Sequence, residues 1–339
     1  MNYILKDENA IYYECGYSSD NALFLKCGSD AFFVTDSRYS IEAEEIVKGA
    51  KVISSKDLLG TAKELIKKSK IKKLIYDPKE WSHYAYQILA KKSKVHFQPQ
   101  LDFSHKKRII KDDKELMILA KAAKLGRKAF DTLAKEFNKS GFGEDEYSLT
   151  FTAQSILSDF GRYSLSFDPI VAIEANAAKP HALPTARKLS RSNLLLVDAG
   201  LKYERYCSDR TRTVSTDRNF IFDTKQSFRS KKIQKAYDTV LKAHDHAISK
   251  ARSGMKAKKV DALTRDIITK AGFGDYFVHS TGHGVGLDIH EMPYISAKSD
   301  TVIKDGMVYT IEPGIYIPGE FGIRIEDMVA MIDGKAKVL

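Results

Sequence analysis

Four acids stand in two nearly symmetric settings. In "NLLLVDAGLKYERYCSDRTRTV", residues 193–214, Asp198 and Asp209 lie at equal distances from a centre between Tyr203 and Glu204. A strand–turn–strand closing there, with its turn within Leu201 to Arg205, makes the two aspartates cross-strand partners on one face. In "MVYTIEPGIYIPGEFGIRIEDMVAM", residues 307–331, Pro318 and Gly319 mark a turn, and Glu312 and Glu326 are each seven positions from Gly319. Like charges opposite each other weaken a sheet, and acids beside "LLLV" or "VYTI" sit where water is scarce. One such pair has a bland reading, surface acids at hairpin ends; two pairs ask for positive charge among them. Arg324, two residues before Glu326 on the same strand face, can orient one carboxylate but cannot neutralise four. Hard oxygen donors beside an imidazole suit two divalent ions, Mn²⁺ first, with Co²⁺, Fe²⁺ or Zn²⁺ able to take the same place. Such a pair activates water and grips a carbonyl, the chemistry of metal-assisted hydrolysis.

The imidazole is sought in "HSTGHGVGLDIHE", residues 279–291, which holds His279, His283 and His290. So much histidine and glycine makes a poor core strand, and the glycines read as places where backbone passes close to a substrate. A phosphate loop is a weaker reading, because no apolar strand leads in and no G-x-G-x-x-G is completed. His83, His96, His105, His244 and His246 fall outside every motif and read as satisfied or exposed side chains. Cys207, two residues before Asp209, could reach the same face as a soft ligand, but four hard acids argue against it.

The elements that must position these groups fall into two domains, predicted over residues 1–108 and 109–339. The first alternates short β-rich runs ("NALFLKC", "DAFFVTD", "KVISS", "KLIYD") with helical segments ("SIEAEEIVKGA", "LLGTAKELIKKS", "EWSHYAYQILAKKS"), the pattern of a small α/β domain. A long helix then starts at Asp112 or Asp113, either able to cap it, and further helices are expected over 144–160, 229–251 and 259–271. The last is closed by "AGFG".

With 339 residues, 43% hydrophobic and 29% charged, the chain can bury a sizeable interior, and disorder is not indicated. Its start lacks a signal pattern and no window is apolar enough to span a membrane, so a cytoplasmic location with no membrane partner is expected. Three cysteines without a C-x-x-C pair speak against a disulfide framework and a thiolate zinc site. The net charge of +11 comes from scattered lysine clusters without aromatic interleaving, and no nucleic-acid partner is expected.

Taken in order, Asp198 in "VDAG", Asp209 in "YCSDRTRT", His283 in "GHGVGLDIHE", Glu312 in "IEPGIY" and Glu326 in "RIED" resemble the metallopeptidases of the pita-bread fold. Those include methionine aminopeptidase, Xaa-Pro aminopeptidase and Xaa-Pro dipeptidase. The likeness runs on through "SFDPIVAIEANAAKPHALPT" and "AGFGDYFVHSTGHG" and covers most of residues 110–335. It implies that Asp198 ligates one ion, His283 and Glu312 the other, and that Asp209 and Glu326 bridge both. Glu312 would also carry a proton as acid and base, and His181 and His290 would donate hydrogen bonds to substrate and oxyanion. His279 and Arg324 would complete the substrate site, His279 lining the pocket and Arg324 standing behind the ligands. "YYECGYSSDNALFL" and "VTDSRY" resemble the extra domain of creatinase, which itself lacks the metal carboxylates. The implied fold is an α/β creatinase-like N-terminal domain followed by an α+β pita-bread catalytic domain, and the implied substrates are peptides with proline second. With no insertion to close the cleft, the aminopeptidase that takes Xaa-Pro-Yaa peptides is preferred over the dipeptidase. A non-catalytic binding module of the same fold is the reading from another class, and a homodimer is the family expectation.

Overall fold

A six-stranded sheet organises the first part of the chain in the computed structural model, which describes residues 1–217 and 219–339. Two compact units, Met1–Arg108 and Ile109–Leu339, divide it. The first contains β1 (Tyr3–Leu5), α1 (Glu8–Cys15), β2 (Ala22–Cys27), β3 (Asp30–Thr35), α2 (Ser40–Ile46), β4 (Lys51–Ser54), α3 (Leu58–Lys68), β5 (Lys73–Tyr76), α4 (His83–Ala90), β6 (His96–Pro99) and α5 (Phe103–Arg108). The strand order is β4-β3-β2-β1-β5-β6. Alternation along the strands makes two cores, as period-two side chains require. Tyr3, Leu5, Phe24 and Phe33 face Ala10, Ile11, Ala43 and Phe103 on one side. Ile4, Leu23, Leu25 and Val34 face Ala62, Ile66, Ala85 and Leu89 on the other. The four expected strands and three expected helices are all present; β1, α1, β6 and α5 are additions, and β1 is only three residues long.

The second unit opens with α6 (Asp113–Glu136), where Asp112 and Glu115 form a reciprocal capping box. There follow α7 (Glu146–Leu157), β7 (Ile170–Ile173), β8 (Leu194–Asp198), β9 (Lys202–Tyr203), β10 (Tyr206–Cys207) and β11 (Thr211–Ser215). After α8 (Lys231–Lys250) and α9 (Ala257–Lys270) come β12 (Gly282–Gly284), β13 (Glu291–Ile295), β14 (Val308–Ile311), β15 (Gly314–Ile317), β16 (Phe321–Arg324), β17 (Asp327–Ile332) and β18 (Lys335–Val338). Sheets β11-β8-β7 and β13-β12-β14-β17-β18 form the frame, and β15-β16 is a separate ribbon. Leu195 and Val197 of β8 pack with Phe130 and Leu133 of α6 and Leu149 of α7. Leu194 and Leu196 point the other way, into the core shared with Tyr237 and Val240 of α8 and Ile268 of α9. Asp198, in phase with Leu194 and Leu196, is therefore delivered to the inner face.

The histidine- and glycine-rich run departs from expectation. Residues 282–284 form β12, paired with both β13 and β14. A Cβ on Gly282 would lie 1.9 Å from the Thr310 carbonyl oxygen, and one on Gly284 would lie 2.2 Å from that of Met292. These glycines admit neighbouring strands rather than a substrate, which is why such a run can be a buried strand after all. Among the described residues no helix is long and apolar enough to cross a membrane.

Candidate metal centre

The two acid-bearing hairpins close differently. Pro318 and Gly319 make the second turn: Gly319 has φ of 75°, and the Glu320 N–H donates to the Ile317 carbonyl at 3.0 Å. Ile317 pairs with Phe321 and Ile311 with Asp327, both symmetric about Gly319, so Glu312 and Glu326 face each other in the gap between two ladders. In the first hairpin Tyr203 pairs with Tyr206 and Asp198 with Thr211, so the centre falls between Glu204 and Arg205. This corrects the expected pairing of Asp198 with Asp209. Both turn residues are left-handed, with φ of 46° and 68°, as a two-residue hairpin loop needs, but neither is the glycine or asparagine that would advertise it. Asp209 occupies the unpaired stretch between β10 and β11 and still reaches the cluster.

Asp209, His283 and Glu326 are buried, and each offers a ligand atom, all within 4.8 Å of one another. His283 Nε2 lies 3.6 Å from Asp209 Oδ2 and 3.3 Å from Glu312 Oε1. Its Nδ1 is 3.1 Å from the Gly284 carbonyl oxygen, so the proton belongs on Nδ1 and the Nε2 lone pair faces the carboxylates. Burial lowers the His283 pKa and keeps the ring neutral. Burial first, then Glu326, Asp198 and Glu312, pushes Asp209 well above the carboxylate range. Burial followed by Glu312 and Asp198 does the same to Glu326, and burial raises Glu312 to about 7. Asp198 Oδ2 accepts from Arg324 Nη2, while its Oδ1 is buried without a hydrogen-bond partner. A buried orphan oxygen, a lone pair aimed at oxygens and three acids that burial above all holds back from ionising offer the kind of donors a divalent cation takes.

A second layer holds this set. The Thr211 hydroxyl donates to Glu326 Oε2 at 2.6 Å and accepts from Arg324 Nε at 3.0 Å. Arg324 Nη1 donates to the Tyr316 hydroxyl at 2.7 Å and to the Pro180 carbonyl at 3.3 Å. Tyr316, raised to about 12 by burial, keeps its proton and passes a 2.8 Å hydrogen bond to His279 Nε2. His279 Nδ1 donates to the Ser280 carbonyl at 2.7 Å, and burial and Arg324 lower its pKa to about 4. Both nitrogens of His279 are thus engaged, and Arg324 is held by Asp198, Thr211, Tyr316 and Pro180 at the cavity wall. Arg212 grips both oxygens of Asp327 at 2.8 Å and the Glu326 carbonyl at 2.6 Å, fixing the backbone of an acid in the cluster. His244, expected to be satisfied, is buried 3.3 Å from Asp327.

His181 and His290 join the four acids, His279, His283 and Arg324 around one cavity of about 420 Å³, with Phe167, Asp168, Ser280 and Tyr294 completing the wall. The rings of His283 and His290 meet edge to face at 4.3 Å. Cys207 is turned away, its thiol on the Leu287 carbonyl at 3.6 Å and its pKa pushed to about 11 by burial. A roomier groove of about 580 Å³ is lined by Leu125, Phe151 and Phe160 and gathers no such cluster; chemistry, not volume, picks out the site. Sequence reasoning passed over Thr211 and Tyr316. Thr211 stands two residues after Asp209 and Tyr316 four after Glu312, the same-face spacing already used for Arg324 and Glu326.

Buried acids around a neutral imidazole, in a cleft of an α+β frame that follows an α/β domain in the sequence, define a metal-dependent hydrolase. Residues 118–333 match metallopeptidase family M24, and residues 2–110 match the creatinase/prolidase N-terminal domain. The chain belongs to metallopeptidase family M24, and both parts of the expected fold are borne out. An uncharacterized peptidase of Bacillus subtilis is 33% identical over 332 residues, 97% of this chain and 90% of the relative. The Xaa-Pro dipeptidase of Pyrococcus furiosus is 39% identical over 232 residues, 68% of this chain and 63% of the relative. Among solved structures, an Xaa-Pro dipeptidase from Bacillus anthracis aligns with TM-score 0.90 and 30% identity, covering 99% of this chain and 92% of that one. An X-Pro aminopeptidase from Thermotoga maritima aligns at 0.87 and 27%, covering 99% and 94%.

Proposed function

We propose that this chain hydrolyses the peptide bond before proline, with Xaa-Pro dipeptides as its first substrates. The observation that carries hydrolysis is the convergence of Asp198, Asp209, His283, Glu312 and Glu326 on one cavity. The substrate comes from the relatives, of which the Bacillus anthracis and Pyrococcus furiosus proteins are named Xaa-Pro dipeptidases. Those names outweigh the preference for an aminopeptidase, which rested on an insertion not being seen.

Asp198 would hold one ion, His283 and Glu312 the other, and Asp209 and Glu326 both; Mn²⁺ comes first for such oxygen-rich ligands. Divalent cations bound there would supply Lewis acidity and water that loses its proton near neutral pH. Glu312 takes a proton from the attacking water and hands it to the proline nitrogen as the C–N bond breaks. That nitrogen is a poor leaving group until protonated. His290, kept neutral by burial and by His283, and His181 across the cavity donate hydrogen bonds to the carbonyl oxygen as it gains charge. A homodimer in the cytoplasm belongs to the same reading, on family likeness alone.

The test is steady-state kinetics on alanyl-proline and on a tetrapeptide with proline second, after loading with Mn²⁺ and after chelation. Metal-dependent cleavage with the dipeptide favoured is expected. Cleavage of the tetrapeptide alone would restore the aminopeptidase reading, and cleavage of neither would sink both.

A further inference from the structure

Glu146 lies outside the cavity, yet it is a buried carboxylate with an unusual set of partners. It stands in the first turn of α7 and is 0% exposed. Oε1 accepts the Ile173 N–H at 2.7 Å. Oε2 accepts three donors: the Asn176 side-chain amide at 2.8 Å, the Thr185 N–H at 2.7 Å and the Thr185 hydroxyl at 2.6 Å. Asn176 spends its amide a second time on the Leu183 carbonyl at 2.9 Å, and its own oxygen accepts from Lys179 Nζ at 3.1 Å. All four donors to Glu146 belong to the segment that leaves β7 at Ile173 and returns by Thr185, and that segment carries His181.

A carboxylate taken wholly out of water is costly, and an apolar side chain of similar volume often serves fold stability as well. What the charge adds is selection of one conformation, because its acceptor oxygens match four donors in one arrangement of the loop. The tip of the loop is held separately, by Arg324 on the Pro180 carbonyl. His181 itself is exposed in the cavity wall, so its aim is set by the backbone beneath it.

We propose that Glu146 is a positioning residue for His181: by gathering both ends of the 173–185 segment, it fixes where the imidazole meets the substrate. The proposal rests on the reading of His181 as a substrate hydrogen-bond donor. A displacement of about an ångström at such a group costs up to roughly a hundredfold in rate.

The test compares Glu146→Gln, His181→Ala and the double variant in the metal-loaded enzyme with alanyl-proline. Glutamine keeps the shape but turns an NH₂ toward a donor. Expected for Glu146→Gln are a fall in kcat of roughly ten- to a hundredfold, a KM changed far less, unaltered metal content, and faster amide hydrogen exchange at Ile173 and Thr185. In the His181→Ala background the same change should cost almost nothing. A loss repeated in full in that background overturns the proposal and leaves the role of His181 standing. A fully active His181→Ala enzyme overturns that role and the proposal with it. Should Glu146→Gln fail to fold, Thr185→Val, which deletes one donor, is expected to lose activity in the same coupled way and Thr185→Ser to restore it; equal activity of the two would overturn the proposal.

Discussion

The carboxyl oxygens of Asp209 and Glu326 look mainly at other acids, tempered by Thr211 and Arg324. Both acids bind protons more tightly in the folded chain than in the unfolded one, and so does Glu312, up to about 7. Above roughly pH 4, where an unfolded carboxylic acid ionises, the folded chain keeps protons the unfolded chain has lost, and stability falls as pH rises toward the folded values. Melting curves in chelator should therefore shift to lower temperature from about pH 5 to about pH 7. Added Mn²⁺ should remove that slope by replacing protons, and Glu326→Gln should flatten it without metal; a slope indifferent to both would separate these acids from any cation. At this scale the chain reads unevenly. Glu312 and Glu326 are legible because Pro318 and Gly319 state where the chain reverses. Asp198 is paired two residues short of its partner, with Asp209 in place of Thr211, because Glu204 and Arg205 adopt left-handed backbone that their side chains do not announce. Glu146 is silent, since its three partner residues are distant in sequence and its meaning exists only once β7 and the loop after it are in place.

Among the elements, β12 has three residues in close-pressed surroundings. Its flanking strands approach so closely that Gly282→Ala must push the Thr310 carbonyl aside. Overpacking of this kind costs about 1–3 kcal/mol, sometimes more, and here it also displaces His283. The variant should melt lower and bind Mn²⁺ more weakly by calorimetry; unchanged affinity would mean that the sheet yields elsewhere. A clamp from α9 holds the approach to this strand: Arg265 pairs with Asp261 and donates to the Phe277 and His279 carbonyls, and the Thr281 hydroxyl bonds Asp261 at 2.9 Å. Capped, amphipathic helices such as α6 were legible to within one residue of the cap, which is Asp112 of the two aspartates offered, because their signals are local. Short strands such as β1 and β6 were not, since "YIL" acquires meaning only between β2 and β5, and "HFQP" only beside β5.

Over the whole molecule, each face of the N-terminal sheet carries its own helices and its own core. Such a unit contains what it needs to fold, so residues 1–108 made alone should unfold cooperatively by circular dichroism; a featureless melt would show that the rest of the chain completes it. The three cysteines share one property across both units: all are buried and free, and burial raises Cys15 and Cys207 to about 11 and Cys27 in the same direction. Thiols so hidden and so reluctant to ionise are poor targets for maleimides and iodoacetamide. The native chain is thereby a quiet background for labelling. A cysteine introduced at Tyr294, 47% exposed on the cavity wall, would take a fluorophore almost alone and report by its colour when a ligand enters.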